Sequence, residues 1–345
     1  KQYGDRMMVR AIENGKRIKY EMPYQPYLFV KSRTGKGAYR SVYGDVAEKM
    51  QFSSIKEAKE FSQKYAGVSG FDFYGMNQFV YPFINDTWPG EIAYDRDMIN
   101  VVSLDIETMS DDGFPDIKTA NKALTVITIS DGKKFVVIGV GDYKVHRPDV
   151  TYYKCADEKE LVARFLEEYR KMDPDILTGW NIEFFDIPYL VNRIKVVMGD
   201  GWVKMLSPWN IVREGTQKQN GQETQTFDIA GVAIMDYLTI YKKWTFVQRE
   251  SYKLDFIANL ELGLGKLDYA EYGSLHGLYV GNFQKYVEYN IRDTDIINQL
   301  DDKLKLIDLV LALTYDGKLN YTDSLTSVRM WDVIIHNYLM KSNIV

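Results

Sequence analysis

Asp105 and Glu107 close an otherwise apolar run, Val101-Val102-Ser103-Leu104-Asp105-Ile106-Glu107-Thr108. Side chains two residues apart on a strand share a face, so both carboxylates point to one place. A run this apolar reads as a buried central strand. Two acids side by side in such a setting each oppose ionisation of the other unless a cation neutralises both. Oxygen ligands alone favour a hard ion, Mg²⁺ or Mn²⁺. By itself the Asp-x-Glu pair also fits a strand end meeting solvent. A third acid, Asp186, stands directly before Ile187-Pro188, where proline suits the first turn of a helix. That position could equally be an ordinary helix cap. A fourth, Asp293, follows Tyr289 by four residues, so phenol and carboxylate share one helical face. A phenol beside a carboxylate can hold and polarise a metal-bound water, and the same pair could serve as an interhelical contact.

The elements that must position these groups follow from pattern. After the Asp105 strand, Asp112-Gly113-Phe114-Pro115 forms a turn that leaves Phe114 exposed near the paired carboxylates. Residues 123–129 and 135–140 read as strands joined at Ser130-Asp131-Gly132-Lys133, and Tyr152-Tyr153-Lys154-Cys155 as another. Asp157 caps a helix with Leu161, Phe165 and Tyr169 on one face. Asp175-Ile176-Leu177-Thr178-Gly179-Trp180-Asn181 is a further buried strand, and the helix from Ile187-Pro188 continues through Val197. Asp186 thus falls at the carboxyl end of a strand, the usual edge for a site in an open α/β sheet. Residues 207–228 are polar around Asn220-Gly221, which predicts a protruding hairpin at about 211–226. The Tyr289 helix is expected to reach about Leu313. Residues 1–98 alternate short strands and turns, with a helix from Ser54 to about Ala66.

Composition sets the outer bounds. The 345 residues exceed one typical domain. With 43 basic against 48 acidic side chains and a net charge of −5, nucleic-acid binding would have to come from local patches or metals. Lys31, Arg33, Lys36 and Arg40 form the notable basic cluster. The 26 tyrosines suit core and domain seams as well as base stacking. A single cysteine, Cys155, excludes an internal disulfide framework and fits a reducing compartment. No run of about 18 apolar residues occurs and no signal-peptide pattern opens the chain. Those features predict a soluble intracellular protein without membrane contact. The chain starts at Lys1 without Met and stops at Val345, which reads as a fragment.

Taken in order, the motifs Asp105-Ile106-Glu107, Asn181-Ile182-Glu183-Phe184-Phe185-Asp186-Ile187-Pro188-Tyr189 and Tyr289-Asn290-Ile291-Arg292-Asp293 are far more specific than any one of them. From about residue 98 onward the sequence resembles the proofreading 3′→5′ exonuclease domain of family B DNA polymerases, of the Asp-Glu-Asp-Asp-Tyr class. The context of Asp112-Gly113-Phe114-Pro115, Leu177-Thr178-Gly179-Trp180-Asn181, Tyr241-Lys242-Lys243 and Ser251-Tyr252 is most similar to the replicative polymerases of T-even-like phages.

The resemblance implies an α/β fold: a ribonuclease H-like exonuclease domain, a mixed sheet with flanking helices, over 99–314. A smaller α+β N-terminal domain would occupy 1–98, and a segment at 315–345 would return to pack on it and lead toward an absent palm. It implies two divalent ions, Mg²⁺ or Mn²⁺, held by Asp105, Glu107, Asp186 and Asp293, one activating a water and the other stabilising the leaving 3′ oxygen. Tyr289 would orient the nucleophile, and Phe114, Asn181 and Lys266 would contact DNA. The hairpin would help separate strands. The implied partners are a single-stranded 3′ end, replication proteins of a longer enzyme and RNA at the N-terminal domain, in the cytoplasm of a bacterial host. Asp293-Thr294-Asp295 mimics a palm motif, but helical periodicity runs through it and no Ser-Leu-Tyr-Pro-Ser accompanies it, so nucleotide addition is not expected. A free-standing exonuclease, or a nucleic-acid-binding module with a vestigial nuclease, would share these motifs.

Overall fold

The structure, a computed structural model, describes residues 1–109, 113–219, 221–265 and 267–345. Asp112, the hairpin residue Asn220 and Lys266 therefore lie outside the described residues. The chain divides into two compact units, residues 99–308 and residues 1–98 with 309–345.

The 99–308 unit is built on a mixed sheet whose strands run in space as Val150–Lys154, Phe135–Gly139, Leu124–Ser130, Val101–Thr108, Ile176–Thr178 and Ala233–Ile234. Val101–Thr108 is central. It pairs antiparallel with Leu124–Ser130, placing Asp105 opposite Thr128, and parallel with Ile176–Thr178, placing Ser103 opposite Thr178. Val102, Leu104 and Ile106 point into an apolar core with Leu161, Phe165, Leu190 and Ile194 from two covering helices. Truncating fully buried Leu104 to Ala would cost about 2–5 kcal/mol.

Helix ends follow local chemistry. Asp157 caps Glu158–Met172 by accepting the Glu160 N–H at 2.9 Å. The hairpin strands Val212–Gln219 and Gln222–Ile229 pair in full register about a two-residue turn in which Gly221 takes φ +80°. One expectation fails. The helix carrying Tyr289 and Asp293 runs Phe283–Leu304 and stops, because Lys305 adopts a left-handed backbone (φ +52°) and a new helix starts at Leu306. The Asp301 carboxylate secures the break by accepting the Ile307 N–H at 3.0 Å.

The second unit has a three-stranded antiparallel sheet (Gln2–Tyr3, Arg6–Glu13, Lys16–Pro23) and a four-stranded one ordered Tyr39–Arg40, Val46–Gln51, Tyr27–Lys31, Phe73–Tyr74. Ser54 caps the helix Ile55–Tyr65. Met7, Leu28, Phe79 and Tyr81 share a core with Leu319, Met330 and Val333 of the C-terminal segment. The Val345 N–H donates to the Arg40 carbonyl at 2.8 Å.

Candidate active site

The site begins where the central strand outruns a neighbour. Ile176–Thr178 ends opposite Ser103, so beyond that point Val101–Thr108 has no sheet partner on this side among the described residues. Gly179 makes the departure possible: a Cβ there would strike the Ile182 side chain and lie 2.6 Å from the Leu104 carbonyl. Asn181, in a left-handed conformation (φ +64°), turns the chain back, and its carbonyl accepts the Phe184 and Phe185 N–H groups. The helix Asp186–Met198 then starts, and Asp186 Oδ1 accepts the Ile106 N–H at 3.3 Å. Asp186 is thereby bonded to the backbone between Asp105 and Glu107.

The helix Phe283–Leu304 covers the same strand from the other side with a ladder of polar contacts. Asn298 accepts from Ser103 Oγ at 2.5 Å and donates to Ser130 Oγ at 3.0 Å, joining a cross-strand pair. Two turns earlier, Asn290 accepts from the Thr128 hydroxyl and donates Nδ2 to Asp105 Oδ2 at 2.5 Å. One turn before that, the Tyr286 hydroxyl meets Thr125 Oγ1 at 2.8 Å, and Thr125 also donates to the Glu107 carbonyl at 3.1 Å. Burial, then the charges of Glu107 and Asp105, push the Tyr286 phenol far up, so it stays a neutral hydroxyl.

Asp293 and Glu107 are buried, Asp105 partly so. Burial raises Asp186 to about 7, with the charges of Asp236 and Asp293 adding to the rise and the Ile106 N–H opposing it. Tyr289, also buried, sets its ring edge-on to Tyr269 at 5.4 Å. Phe114 is 97% exposed. The hairpin reaches the same segment, where Gln217 Nε2 donates to Glu183 Oε1 at 3.0 Å. Asp295 is excluded from this group by its ion pair with Arg147 at 3.3 Å.

Asn290, Asn298 and Asp236 are functional-site neighbours that the sequence motifs do not single out. Tyr286, Asn290, Thr294 and Asn298 recur every four residues, a polar stripe that could have been noticed. Asp236 directly precedes the helix Tyr237–Trp244, a position that by itself signals only a helix cap. It is buried, caps Tyr237–Trp244 through the Thr239 N–H at 3.1 Å, and accepts the Glu183 N–H at 3.2 Å, tying that helix to the Asp186 segment.

Among the described residues, no three acidic, histidine or cysteine side chains close into a ready-made metal cage. The donor chemistry nevertheless suits a hard divalent cation: every donor is a carboxylate oxygen, and a cation would offset both the burial that chiefly raises Asp186 and the smaller repulsion from Asp236 and Asp293.

The mixed sheet flanked by helices, with Asp186 bonded to the backbone between Asp105 and Glu107 of its central strand, defines an α/β domain. The sequence description of the DNA polymerase family B exonuclease domain matches residues 85–257, and the chain belongs to that family. It is 31% identical to the DNA-directed DNA polymerase of Escherichia phage RB69 across 99% of this chain and 41% of that protein. Identity to the DNA-directed DNA polymerase of Enterobacteria phage T4 is also 31%, across 97% of this chain and 40% of the relative. The DNA polymerase delta catalytic subunit of Caenorhabditis elegans is 30% identical over 45% of this chain and 15% of its own length. The chain therefore spans about two fifths of its phage relatives. No helix among the described residues is long and apolar enough to cross a membrane.

Proposed function

We propose that residues 99–308 remove nucleotides from the 3′ end of single-stranded or frayed DNA, as the proofreading 3′→5′ exonuclease portion of a DNA-directed DNA polymerase. The observation that carries this reading is the Asp186 carboxylate bonded to the backbone between Asp105 and Glu107, with Asp293 close enough for its charge to act on Asp186. Asp105, Glu107, Asp186 and Asp293 would hold Mg²⁺ or Mn²⁺, two ions by family resemblance. Bound there, such ions lower the pKa of a water and offset charge on the phosphodiester.

The chain's own groups do the positioning. Asn290 fixes one oxygen of Asp105, and the Thr128 hydroxyl sets the Asn290 amide so that its NH₂ faces the acid. Tyr289 orients the attacking water, and Phe114 stacks on terminal bases. Asn181 and the residue at 266 contact the strand, and the hairpin assists fraying. DNA is the substrate, replication proteins are partners of the longer enzyme, and the cytoplasm of a phage-infected bacterium is the setting. Nucleotide addition is not assigned to this chain. RNA binding by residues 1–98 would fall to Lys31, Arg33, Lys36 and Arg40, of which Lys31 is paired with Asp45 at 2.8 Å.

The test is gel-resolved digestion of a 5′-labelled single-stranded oligonucleotide with Mg²⁺ or EDTA, for wild type and Asp105→Ala. A metal-dependent ladder from the 3′ end, absent in the variant, is the expected result. Folded wild type that yields no ladder rejects the assignment.

A further inference from the structure

The segment after the helix Tyr237–Trp244 has no part in the site described above, yet it holds an aromatic ring out into solvent. Phe246 is 82% exposed and adopts φ +54°, a left-handed conformation that a bulky aromatic residue seldom takes. Trp244, whose ring lies edge-on to Phe246 at 6.2 Å, keeps its indole N–H buried with no acceptor. Both features cost free energy in the isolated protein, and neither improves its packing. A purely structural loop would be expected to bury the ring or place glycine at the turn.

The segment that carries this ring is rich in cations. Residues 242–250 contain three cations, Lys242, Lys243 and Arg249, against one acid, Glu250, in a chain whose net charge is −5. Arg249 is turned inward by Glu261 at 2.9 Å and by the Tyr241 hydroxyl at 3.0 Å, so it anchors the segment. Lys242 rests over the Tyr252 ring at 4.6 Å and Lys243 over the Trp244 ring at 5.3 Å. The segment is also tied to the catalytic edge: Trp180 Nε1, one residue before Asn181, donates to the Tyr252 carbonyl at 3.0 Å.

We infer that Phe246, with Lys242 and Lys243, is a binding platform for the single-stranded DNA that enters the site, an inference that rests on the exonuclease reading. An outward ring offers a stacking face, two lysines three and four residues before it in the chain suit phosphates, and unpaired bases supply the complementary surface. Duplex DNA hides its base faces, and a base-free polyanion would use the lysines but not the ring.

The test measures binding of a fluorescent 12-nucleotide oligothymidylate by anisotropy in EDTA, so that binding is read without cleavage. Phe246→Gly removes the ring and relieves the backbone, and it should weaken binding roughly 5- to 150-fold, or about 1–3 kcal/mol. Phe246→Tyr should restore it to within a few-fold. The double variant Lys242→Ala, Lys243→Ala should reduce the slope of log affinity against log salt by about 1.4. The platform is overturned if wild type does not bind the oligomer, if Phe246→Gly binds within twofold of wild type, or if polyphosphate competes equally against wild type and Phe246→Gly. Wild type that binds through Phe246 but forms no ladder with Mg²⁺ would leave the platform standing and sink the exonuclease reading. A ladder together with Phe246-independent binding would do the reverse.

Discussion

Two helices invert the usual rule in opposite directions. Phe283–Leu304 turns Asn290, Asp293 and Thr294 inward, each buried, whereas Ser327–Met340 turns Val328, Trp331, Ile335 and Tyr338 outward, each more than half exposed. Buried polar atoms cost free energy unless satisfied, so the first helix keeps its stripe through a ladder to Ser103, Asp105, Thr125, Thr128 and Ser130. The second already anchors one face through Met330 and Val333, leaving a separate apolar stripe at spacings of three, four and three residues. Misplaced polarity inside is answered by hydrogen bonds within the chain. Misplaced apolarity outside is not answered by the described residues.

The sharpest way to break this comparison is to remove a charge from the inward stripe. Asp293→Ala should lower metal-dependent trimming by about 10²–10³-fold, the scale seen when one preorganised electrostatic contact is lost, as read from initial rates. The mutant should keep its fold, since the core beside it is otherwise intact. Asn290→Ala should destabilise by about 1–3 kcal/mol in urea unfolding, because Thr128 and Asp105 each lose a buried partner. A change below 0.5 kcal/mol, roughly the noise of a surface site, would mean the ladder is ornamental.

Proton linkage gives a subtler test of the same interior. The folded Asp186 carboxyl is raised to about 7 from 3.8, so its contribution to stability is fully present below 3.8 and is lost as pH rises through about 7. In EDTA, stability should therefore fall across that window, and Asp186→Asn should flatten the fall. Added Mg²⁺ should stabilise wild type more at pH 8 than at pH 5. The smallest effect belongs to the outward stripe: Ile335→Lys should change stability by no more than about 0.5 kcal/mol. It should, however, reduce binding of an apolar dye, and unchanged dye binding would show that the stripe is not the sticky surface its exposure implies.

Much of the local architecture could be read from the sequence because short-range chemistry fixes it. Asp157 and Ser54 cap helices as their types require, and Asn220-Gly221 separates strands that pair in register. The break at Lys305 has no such local signal, since apolar periodicity continues past it and no glycine or proline marks the left-handed turn. Asn290 and Asp236 are hidden in the sequence for a related reason. Each has an unremarkable local role, and its importance comes from an atom distant in sequence: Asp105 is 185 positions from Asn290, and Glu183 is 53 from Asp236.

By itself the sequence determined that Asp105 and Glu107 share a strand face, that Asp186 opens a helix and that Asp293 follows Tyr289 by one turn, because backbone periodicity is local. Only the tertiary structure decided that Ile176–Thr178 stops short and leaves the Ile106 N–H to Asp186. It also decided which amide would hold Asp105 and which ring would be left facing solvent. Those outcomes depend on where separate elements end against one another, and no spacing along the chain encodes that.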